Sequence, residues 1–289
     1  MIPFLKYQKL YFLISGLVIA AGLLSIVTYG FRYAIDFTGG TTLEYRFDKA
    51  IPSSSVKQIL TTEKIESIEY RGTNTGFYLK TKALDEKKEK ALQNKLSSQL
   101  NSKVTVVKSE TVGPTLGRET LYKTITASLL AIGGILLYMT FAFKGFNFAL
   151  AAVLAMIHDF LVVVGSYSLI SHFFGAELDT LFVTGVLTAM SFSVHDTIIV
   201  FDKIREYSRM YGKGNISDYA NKALTETMVR SFNNSMTIVF MLLALVLLGG
   251  STIRFFALTL LIGTISGTYS SPFIATPIVV WLEKRKKKA

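Results

Sequence analysis

Six long apolar stretches constrain the fold of this chain more than any other feature of its sequence. They cover residues 10–31, 124–143, 145–171, 178–201, 235–253 and 255–282. A helix needs about 20 mainly apolar residues to cross a bilayer, and each stretch is close to or above that length. The sequence therefore predicts a polytopic α-helical membrane protein with six transmembrane helices.

The first apolar stretch follows two lysines, Lys6 and Lys9, as the core of a secretory signal peptide also does. Its apolar run is longer than a typical signal core, and no clear small-x-small cleavage site follows it. We therefore expect an uncleaved membrane anchor.

The placement of the basic residues predicts the orientation of the helices. The chain has 31 Lys and Arg against 20 Asp and Glu, a net charge of +11, which suits either nucleic acid or a membrane surface. The basic residues cluster in four places that a six-helix chain puts on one side, namely residues 6–9, 144, 203–230 and 284–288. Because cytoplasmic loops are rich in Lys and Arg, we expect both termini in the cytoplasm, the basic tail near anionic lipid, and no nucleic-acid partner.

The one long loop between apolar stretches is predicted to fold as a domain outside the membrane. Strand-like alternation occurs at residues 41–47, 68–70, 77–80 and 104–107. Helical spacing begins after Pro52 and again after Asp85. The resulting order, βαββαβ, is that of a ferredoxin-like α+β domain. Nothing in it suggests chemistry, so we expect a binding or lever module.

The predicted organisation has four parts. They are residues 1–31 (cytoplasmic N-terminus and first helix), 32–120 (extracytoplasmic domain), 121–283 (the other five helices) and 284–289 (basic cytoplasmic tail).

Two aspartates, Asp159 and Asp196, lie well inside apolar stretches. A charged group costs roughly 2.5–3.5 kcal/mol at the centre of a membrane helix on insertion scales, so each aspartate is a candidate functional residue. At about 100° per residue, Gly185, Ala189 and Ser193 share one helix face with Asp196. Small residues spaced by four let helices approach closely, so Asp196 is predicted to face a neighbouring helix and not lipid.

A carboxyl group buried in this way is a suitable proton carrier, because burial disfavours its ionised form and a nearby cation favours it. Arg230, at the polar start of the fifth apolar stretch, is the candidate cation if the two helices are adjacent. A fixed ion pair that merely neutralises the acid is the alternative, and the sequence leaves both open.

A histidine precedes each aspartate, as His158 and His195. Two His-Asp pairs suggest a metal site, but no recognised ligand spacing is present and a fixed metal would hold the acids ionised. Cysteine is absent, which excludes thiol nucleophiles and cysteine-based metal sites. We expect no metal and no cofactor, with protons as the coupling ion. His158 is either a packing residue or part of a proton relay.

Two glycine pairs complete the set of candidates. Gly263 and Gly267 repeat the small-residue spacing in the last apolar stretch and predict close helix packing, with a sliding surface as the alternative. Gly39 and Gly40 join the first helix to the outer domain and are a candidate hinge. They do not make a phosphate-binding loop, because no lysine follows in the required place.

Five sequence motifs resemble those of the SecF branch of the SecD/SecF family of bacterial protein-export membrane subunits. They are IDFTGGT at 35–41, HD at 158–159, VHDTIIVFDKIRE at 194–206, ALTETMVRS at 223–231 and GTYSSPF at 267–273. The resemblance covers nearly the whole chain. His195 departs from it, since the family usually has Asn there, and Lys203 stands where Arg is common.

The resemblance implies half of an RND-type transporter fold, completed by a SecD-like six-helix partner in the bacterial inner membrane. It further implies that the proton motive force moves the outer domains, which help unfolded secretory polypeptides leave the Sec translocon channel. Asp196 would then be the proton-relay acid and Arg230 its charged counterpart, with His158, Asp159 and His195 as further candidates.

Three alternatives to a proton-driven, non-enzymatic translocase subunit are open on sequence grounds. The first is an RND-type proton-driven exporter of small molecules or lipids. The second is an intramembrane hydrolase built on the His-Asp pairs, although no nucleophile motif is evident. The third is a structural scaffold, for which a buried Asp196 would be a needless cost.

Overall fold

The computed structural model describes residues 3–63, 65–143, 145–212 and 214–286. The basic residues Lys144 and Lys213 and residues 287–289 of the predicted tail lie outside the described residues. The chain divides into two compact units, of which one is Tyr33–Ile125 and the other contains the described residues on either side of it.

Among the described residues, three short helices lie between the first long helix and a run of five long ones, and one short helix follows. In chain order they are α1 (Gln8–Tyr29), α2 (Ile35–Thr38), α3 (Ser53–Thr62), α4 (Glu86–Gln99), α5 (Pro114–Ala142), α6 (Phe146–Phe174), α7 (Thr180–Tyr211), α8 (Ile216–Leu248), α9 (Ser251–Ser270) and α10 (Thr276–Lys286). A 3₁₀ turn, Phe4–Tyr7, precedes α1, and a π-helical turn, Ser271–Ala275, joins α9 to α10.

The strands among the described residues are 2 to 9 residues long. They are β1 (Arg32–Tyr33), β2 (Gly40–Phe47), β3 (Ser67–Thr73), β4 (Gly76–Thr81), β5 (Val104–Val112) and β6 (Glu177–Leu178).

Six helical spans among the described residues are long and apolar enough to cross a membrane. They are Phe4–Tyr29, Pro114–Ala142, Phe146–Phe174, Thr180–Tyr211, Ile216–Leu248 and Ile253–Lys286. The six predicted membrane helices are therefore present. The last one is a composite of α9, the π-helical turn and α10, and Pro272, which has no backbone N–H to donate, lies in that turn.

The basic segment predicted as a loop between the fourth and fifth helices is largely helical. α7 continues to Tyr211 and α8 already begins at Ile216, where Asn215 accepts a hydrogen bond from the Ser217 amide at 3.1 Å. Apolar periodicity continues through the charged residues, because Ile204 and Leu224 are buried while their charged neighbours are not. The membrane helices thus extend well beyond their apolar stretches.

The unit Tyr33–Ile125, which we name the outer unit, contains a four-stranded antiparallel sheet with strand order β3-β4-β2-β5. Alternate residues of its strands, such as Leu43, Tyr45 and Leu79, form a core with Val56 of α3 and Leu96 of α4. Asp85 caps α4 by accepting a hydrogen bond from the Lys88 amide at 2.8 Å. The chain order of these elements is β2-α3-β3-β4-α4-β5.

The second unit, which we name the membrane unit, contains the described residues before Tyr33 and after Ile125. In it, α9 packs against α6, α7 and α8, while α1 packs against α6. Glycine permits the closest approach of α1 to α6, since a side chain on Gly22 would lie 2.7 Å from the Cα of Gly165. Close backbone contact between membrane helices at small residues is the expected packing mode in lipid. This arrangement places the polar residues of four helices side by side.

Candidate functional site

The two predicted stripes of small residues face each other across the α7–α9 interface. Added side chains on Gly263 and Gly267 would meet Ala189 and Ser193, and one on Gly185 would lie 3.1 Å from a Thr259 methyl group. All five of these predicted packing residues therefore meet in one interface. Because the backbones are close, polar side chains next to the stripe can reach across from one helix to the other.

Asp159 lies in the middle of α6 and is 2% exposed. Ser266 donates a hydrogen bond to its Oδ1 at 2.6 Å, Ser270 donates to its Oδ2 at 2.5 Å, and Ser193 of α7 also donates to Oδ2. His158 Nδ1 lies 2.9 Å from Oδ1. Each carboxylate oxygen thus has two hydrogen-bonding neighbours, so the carboxylate is saturated by donors from three helices.

His158 is buried beside Asp159 and faces Tyr269, with ring centroids 6.4 Å apart. Its Nε2 atom is buried and has no hydrogen-bond partner among the described residues. The Nδ1 contact with Asp159 fixes the ring orientation, which is the usual role of a carboxylate next to an imidazole. The structure therefore places His158 and Asp159 together as one polar unit.

Asp196 lies on α7 one turn beyond Ser193 and is 6% exposed. Ser231 of α8 donates a hydrogen bond to its Oδ2 at 2.9 Å, and Ser235, one turn further along α8, is a second hydrogen-bonding neighbour. Ser235 in turn accepts a hydrogen bond from Thr268 of α9 at 2.7 Å. Asp196 is therefore held by a hydroxyl network that connects α7, α8 and α9.

A small cavity opens beside Asp196. It is lined by Phe192, His195, Asp196, Asn234, Ser235, Ile238, Thr264, Gly267 and Thr268. The cavity has a volume of about 20 Å³. A single water molecule needs about 10–15 Å³. The buried hydroxyl of Thr264 has no hydrogen-bond partner among the described residues. The space beside Asp196 thus has polar groups in a largely apolar lining and is large enough for one water molecule.

The predicted ion pair between Asp196 and Arg230 is not found among the described residues, and Arg230 is exposed. The adjacent residue, Ser231, takes the place next to the carboxylate. Successive helical residues are rotated by about 100°, so when Ser231 faces α7 the Arg230 side chain points away from it. The pairing is therefore corrected, while a role for Arg230 in another arrangement of the helices stays a prediction.

His195 is exposed on the surface of α7 and also lines the cavity, next to Asp196. The two His-Asp pairs thus differ in burial, since His158 is buried and His195 is not. No group of three His, Cys, Asp or Glu side chains suited to a metal lies together in the part of the chain that the structure describes.

Gly39 and Gly40 lie in a tightly packed junction of the outer unit. Their φ angles are +70° and +129°, values that side chains disfavour. A side chain on Gly39 would lie 2.7 Å from the Cα of Pro114, and one on Gly40 would lie 2.6 Å from the Thr81 carbonyl oxygen. Backbone geometry and close contacts therefore require glycine at both positions, and the hinge stays a prediction.

Sequence reasoning named Ser193 as a packing residue and did not single out the serines of α9. Ser266 and Ser270 are spaced by four, as are Ser231 and Ser235 on α8, so each pair occupies one helix face. Pairs of serines with this spacing, in or next to an apolar stretch, could have predicted these hydrogen-bond donors from the sequence. They indicate which face of each helix carries donors for a buried acid.

The arrangement has two chemically distinct carboxyl sites. Asp159 is enclosed by hydroxyl donors of α7 and α9, and these hydrogen bonds connect three helices. Asp196 has fewer donors and adjoins a cavity of about 20 Å³. The two carboxyl groups thus differ in the number of their hydrogen-bonding neighbours and in the space beside them.

Comparison with known proteins shows which family this chain resembles. Residues 92–285 match the family model "Protein export membrane protein SecD/SecF, C-terminal", and residues 24–51 match the "SecD/SecF GG Motif" model. The second match includes the Gly39–Gly40 junction, and the first includes both aspartates.

Two relatives and one solved structure extend this result. Protein translocase subunit SecF of Thermobaculum terrenum is 40% identical, over 99% of this chain and 95% of that protein, and SecF of Anaerolinea thermophila is 36% identical, over 97% and 94%. The crystal structure of SecDF from Thermus thermophilus, a translocon-associated membrane protein, matches at 32% identity with a TM-score of 0.86. That match covers 98% of this chain and 38% of the SecDF chain.

The family matches agree with the six membrane-length helices, and together they make the chain a multi-pass membrane protein of the protein-export pathway. Because the family model covers more than half of the chain and the relatives match it almost end to end, the chain belongs to the SecD/SecF family of protein export membrane proteins.

Proposed function

We propose that this chain is an accessory subunit of the Sec protein translocase that couples proton flow across the membrane to the export of unfolded secretory polypeptides. The observation that carries the coupling is the position of Asp196, a carboxyl group inside a membrane helix that adjoins a cavity and a hydroxyl network from two other helices. The subunit has no enzymatic turnover in this proposal.

The proposed partner is a SecD-like protein with six membrane helices. The similar Thermus protein carries the name SecDF, and this chain spans 38% of it, which supports a second half supplied by another polypeptide segment. Further proposed partners are the Sec translocon channel, the unfolded client chain and anionic lipid at the basic tail. An exporter of small molecules or lipids is not favoured, because the relatives are named protein translocase subunits.

The proposed location is the bacterial cytoplasmic membrane, with both termini in the cytoplasm, as the distribution of Lys and Arg indicates. The unit Tyr33–Ile125 then lies outside the membrane as a ferredoxin-like domain. Its antiparallel strand order, β3-β4-β2-β5, and the two helices between strands support that fold.

Proton binding at Asp196 would change the charge at the junction of α7, α8 and α9. In its ionised form Asp196 accepts hydrogen bonds from hydroxyl groups of α8, whereas its protonated form also has a donor of its own. Arg230 is the proposed counter-charge when the helices rearrange. One charge that crosses 100 mV supplies about 2.3 kcal/mol, enough to bias two states separated by a few kcal/mol.

The experiment that tests this function is the Asp196→Asn variant, assayed in membranes with and without a proton gradient. We expect normal assembly and loss of the gradient-dependent part of export, because the asparagine amide does not bind and release a proton as a carboxyl group does. Asp202→Asn is the matched control, since Asp202 lies on the same helix but pairs with Arg205 and is largely exposed. Gradient-dependent export that persists in Asp196→Asn would contradict the proposal.

A further inference from the structure

Within the outer unit, the segment that follows the first membrane helix is firmly docked. Lys80, which is 5% exposed, donates a hydrogen bond to the Tyr33 carbonyl oxygen. Gly40 packs against the Thr81 carbonyl oxygen, one residue further along β4. These contacts leave little freedom for bending between Tyr33 and the start of β2.

The start of α5 is docked on the same junction. A side chain on Gly117 would lie 2.7 Å from the Gly39 backbone nitrogen, and Pro114 packs against the Cα of Gly39. The first turns of α5 and the first residues of β2 are therefore in backbone contact. Any movement of this unit carries the beginning of α5 with it.

The second half of α5 is anchored in the membrane unit. Met139 is buried, and Ile132, Ile135 and Leu136 pack against the membrane core with it. The stretch just before them is different, because Leu129 and Leu130 are 66% and 73% exposed. One face of α5 therefore begins to pack against the membrane core at about residue 132, while Leu137, Tyr138 and Phe141 stay exposed.

Gly133 and Gly134 lie at this transition. Both are exposed, and an added side chain would meet no atom within 4 Å at either position. Packing therefore does not require glycine here, in contrast to Gly39 and Gly40. Glycine is a poor helix former because its backbone is less restricted, and helices bend preferentially at such residues.

We propose that Gly133–Gly134 is the bending point of α5 through which rearrangement of the membrane helices moves the outer unit. Because both ends of α5 are held, bending that is concentrated between them converts a change at one end into movement of the other. The link to export rests on the proposed function, whereas the bending itself does not.

The bending can be measured without an export assay. The chain has no cysteine, so Lys87→Cys in the outer unit and Arg254→Cys in the membrane unit introduce the only thiols for spin labels. Both positions are exposed. In full-length protein reconstituted with its SecD-like partner, we expect a broad distribution of label distances that narrows in the Gly133→Ala/Gly134→Ala variant. An equal width in both proteins would overturn the proposal.

Export then tests the consequence of the bending. The gradient-dependent rate is expected to fall about fivefold for each alanine, the factor that corresponds to the helix-propensity difference between glycine and alanine. Gly16→Ala is the matched control, because Gly16 is also an exposed helical glycine with no atom within 4 Å of an added side chain, and it lies in α1.

Three further results would overturn the proposal. They are an unchanged export rate despite a narrower distribution, an equal loss of export in Gly16→Ala, and loss of partner co-purification in the double variant, which would make the glycines a packing surface. Failure of the proposed function gives a different result, namely gradient-dependent export in Asp196→Asn, and leaves the distance measurement valid.

Discussion

The two His-Asp pairs of the membrane unit look alike in sequence but lie in different surroundings. Asp159 accepts hydrogen bonds from serines of α7 and α9 and contacts His158, whereas Asp196 accepts from serines of α8 and adjoins a cavity. Their exposed fractions, 2% and 6%, hardly differ. Burial alone therefore does not decide which buried acid can exchange a proton.

What separates the two sites is the number of donors and the space available. A proton that binds Asp159 must displace at least one hydroxyl donor, because four hydrogen-bonding neighbours already surround its carboxylate. A proton that binds Asp196 meets a looser network with room beside it. We infer that Asp159 holds the helices in place and that Asp196 carries the charge change.

The strongest test of this difference is to truncate each acid to alanine. Asp159→Ala should lower the free energy of unfolding by about 3 kcal/mol or more, because three serine hydroxyls lose their acceptor and each buried unsatisfied group costs about 1–3 kcal/mol. Asp196→Ala should cost about 1 kcal/mol, a typical value for a single substitution. Thermal unfolding of the purified proteins in detergent measures both.

Export measured on the same pair of variants completes that test. Asp196→Ala should assemble normally and lose gradient-dependent export, while Asp159→Ala should assemble poorly. Equal destabilisation by the two variants would remove the distinction between the sites.

The second test changes the packing that brings donors to Asp159. A side chain on Gly267 would lie 2.9 Å from the Cα of Ser193, a backbone contact that cannot relax by rotation of a side chain. Gly267→Ala should therefore push α7 and α9 apart and cost about 2 kcal/mol, within the range for overpacking a core. The same unfolding measurement applies, and Gly133→Ala, in open space, is the control that should not destabilise. A neutral Gly267→Ala would mean that the interface yields easily.

How far the sequence alone can predict this site depends on the kind of information needed. The stripes Gly185–Ala189–Ser193 and Gly263–Gly267 were predictable, because close packing of membrane helices follows from a local spacing of four. The elements of the outer unit were predictable for the same reason, since alternation at residues 41–47 and the Asp85 cap are local signals.

The pairing of donors with acids could not be predicted in the same way. Arg230 and Ser231 are neighbours, and only the rotation of α8 about its axis decides which of them faces Asp196. Likewise, Ser266 and Ser270 become partners of Asp159 only once α9 packs against α6. These pairings depend on how the helices pack, and rotation of a helix by about 100°, the angle between successive residues, would change them.

The third test compares single hydroxyl donors at the two sites. Ser270→Ala should cost about 1–2 kcal/mol, because interhelical hydrogen bonds in membranes contribute up to about 1.7 kcal/mol and Ser270 is fully buried. Ser231→Ala should cost less, because water in the adjacent cavity can replace its hydroxyl. Unfolding of both variants in detergent gives the difference, and a larger loss for Ser231→Ala would contradict our assignment of the closed site.

The smallest expected effect is at His195, and it separates the two pairs at their histidines. His195 is exposed and lines the cavity, so His195→Asn should change the free energy of unfolding by no more than about 0.5 kcal/mol, as surface substitutions do. His158→Asn should cost more, because His158 is buried and its Nδ1 lies 2.9 Å from the Asp159 carboxylate. His195→Asn should still alter the pH dependence of gradient-driven export, because it replaces the imidazole next to Asp196 with an amide, which does not bind a proton. Export measured across a range of external pH at a constant gradient detects this. If the profile of His195→Asn matched the unsubstituted protein while that of His158→Asn shifted at unchanged stability, the assignment of the proton-exchanging pair would have to be reversed.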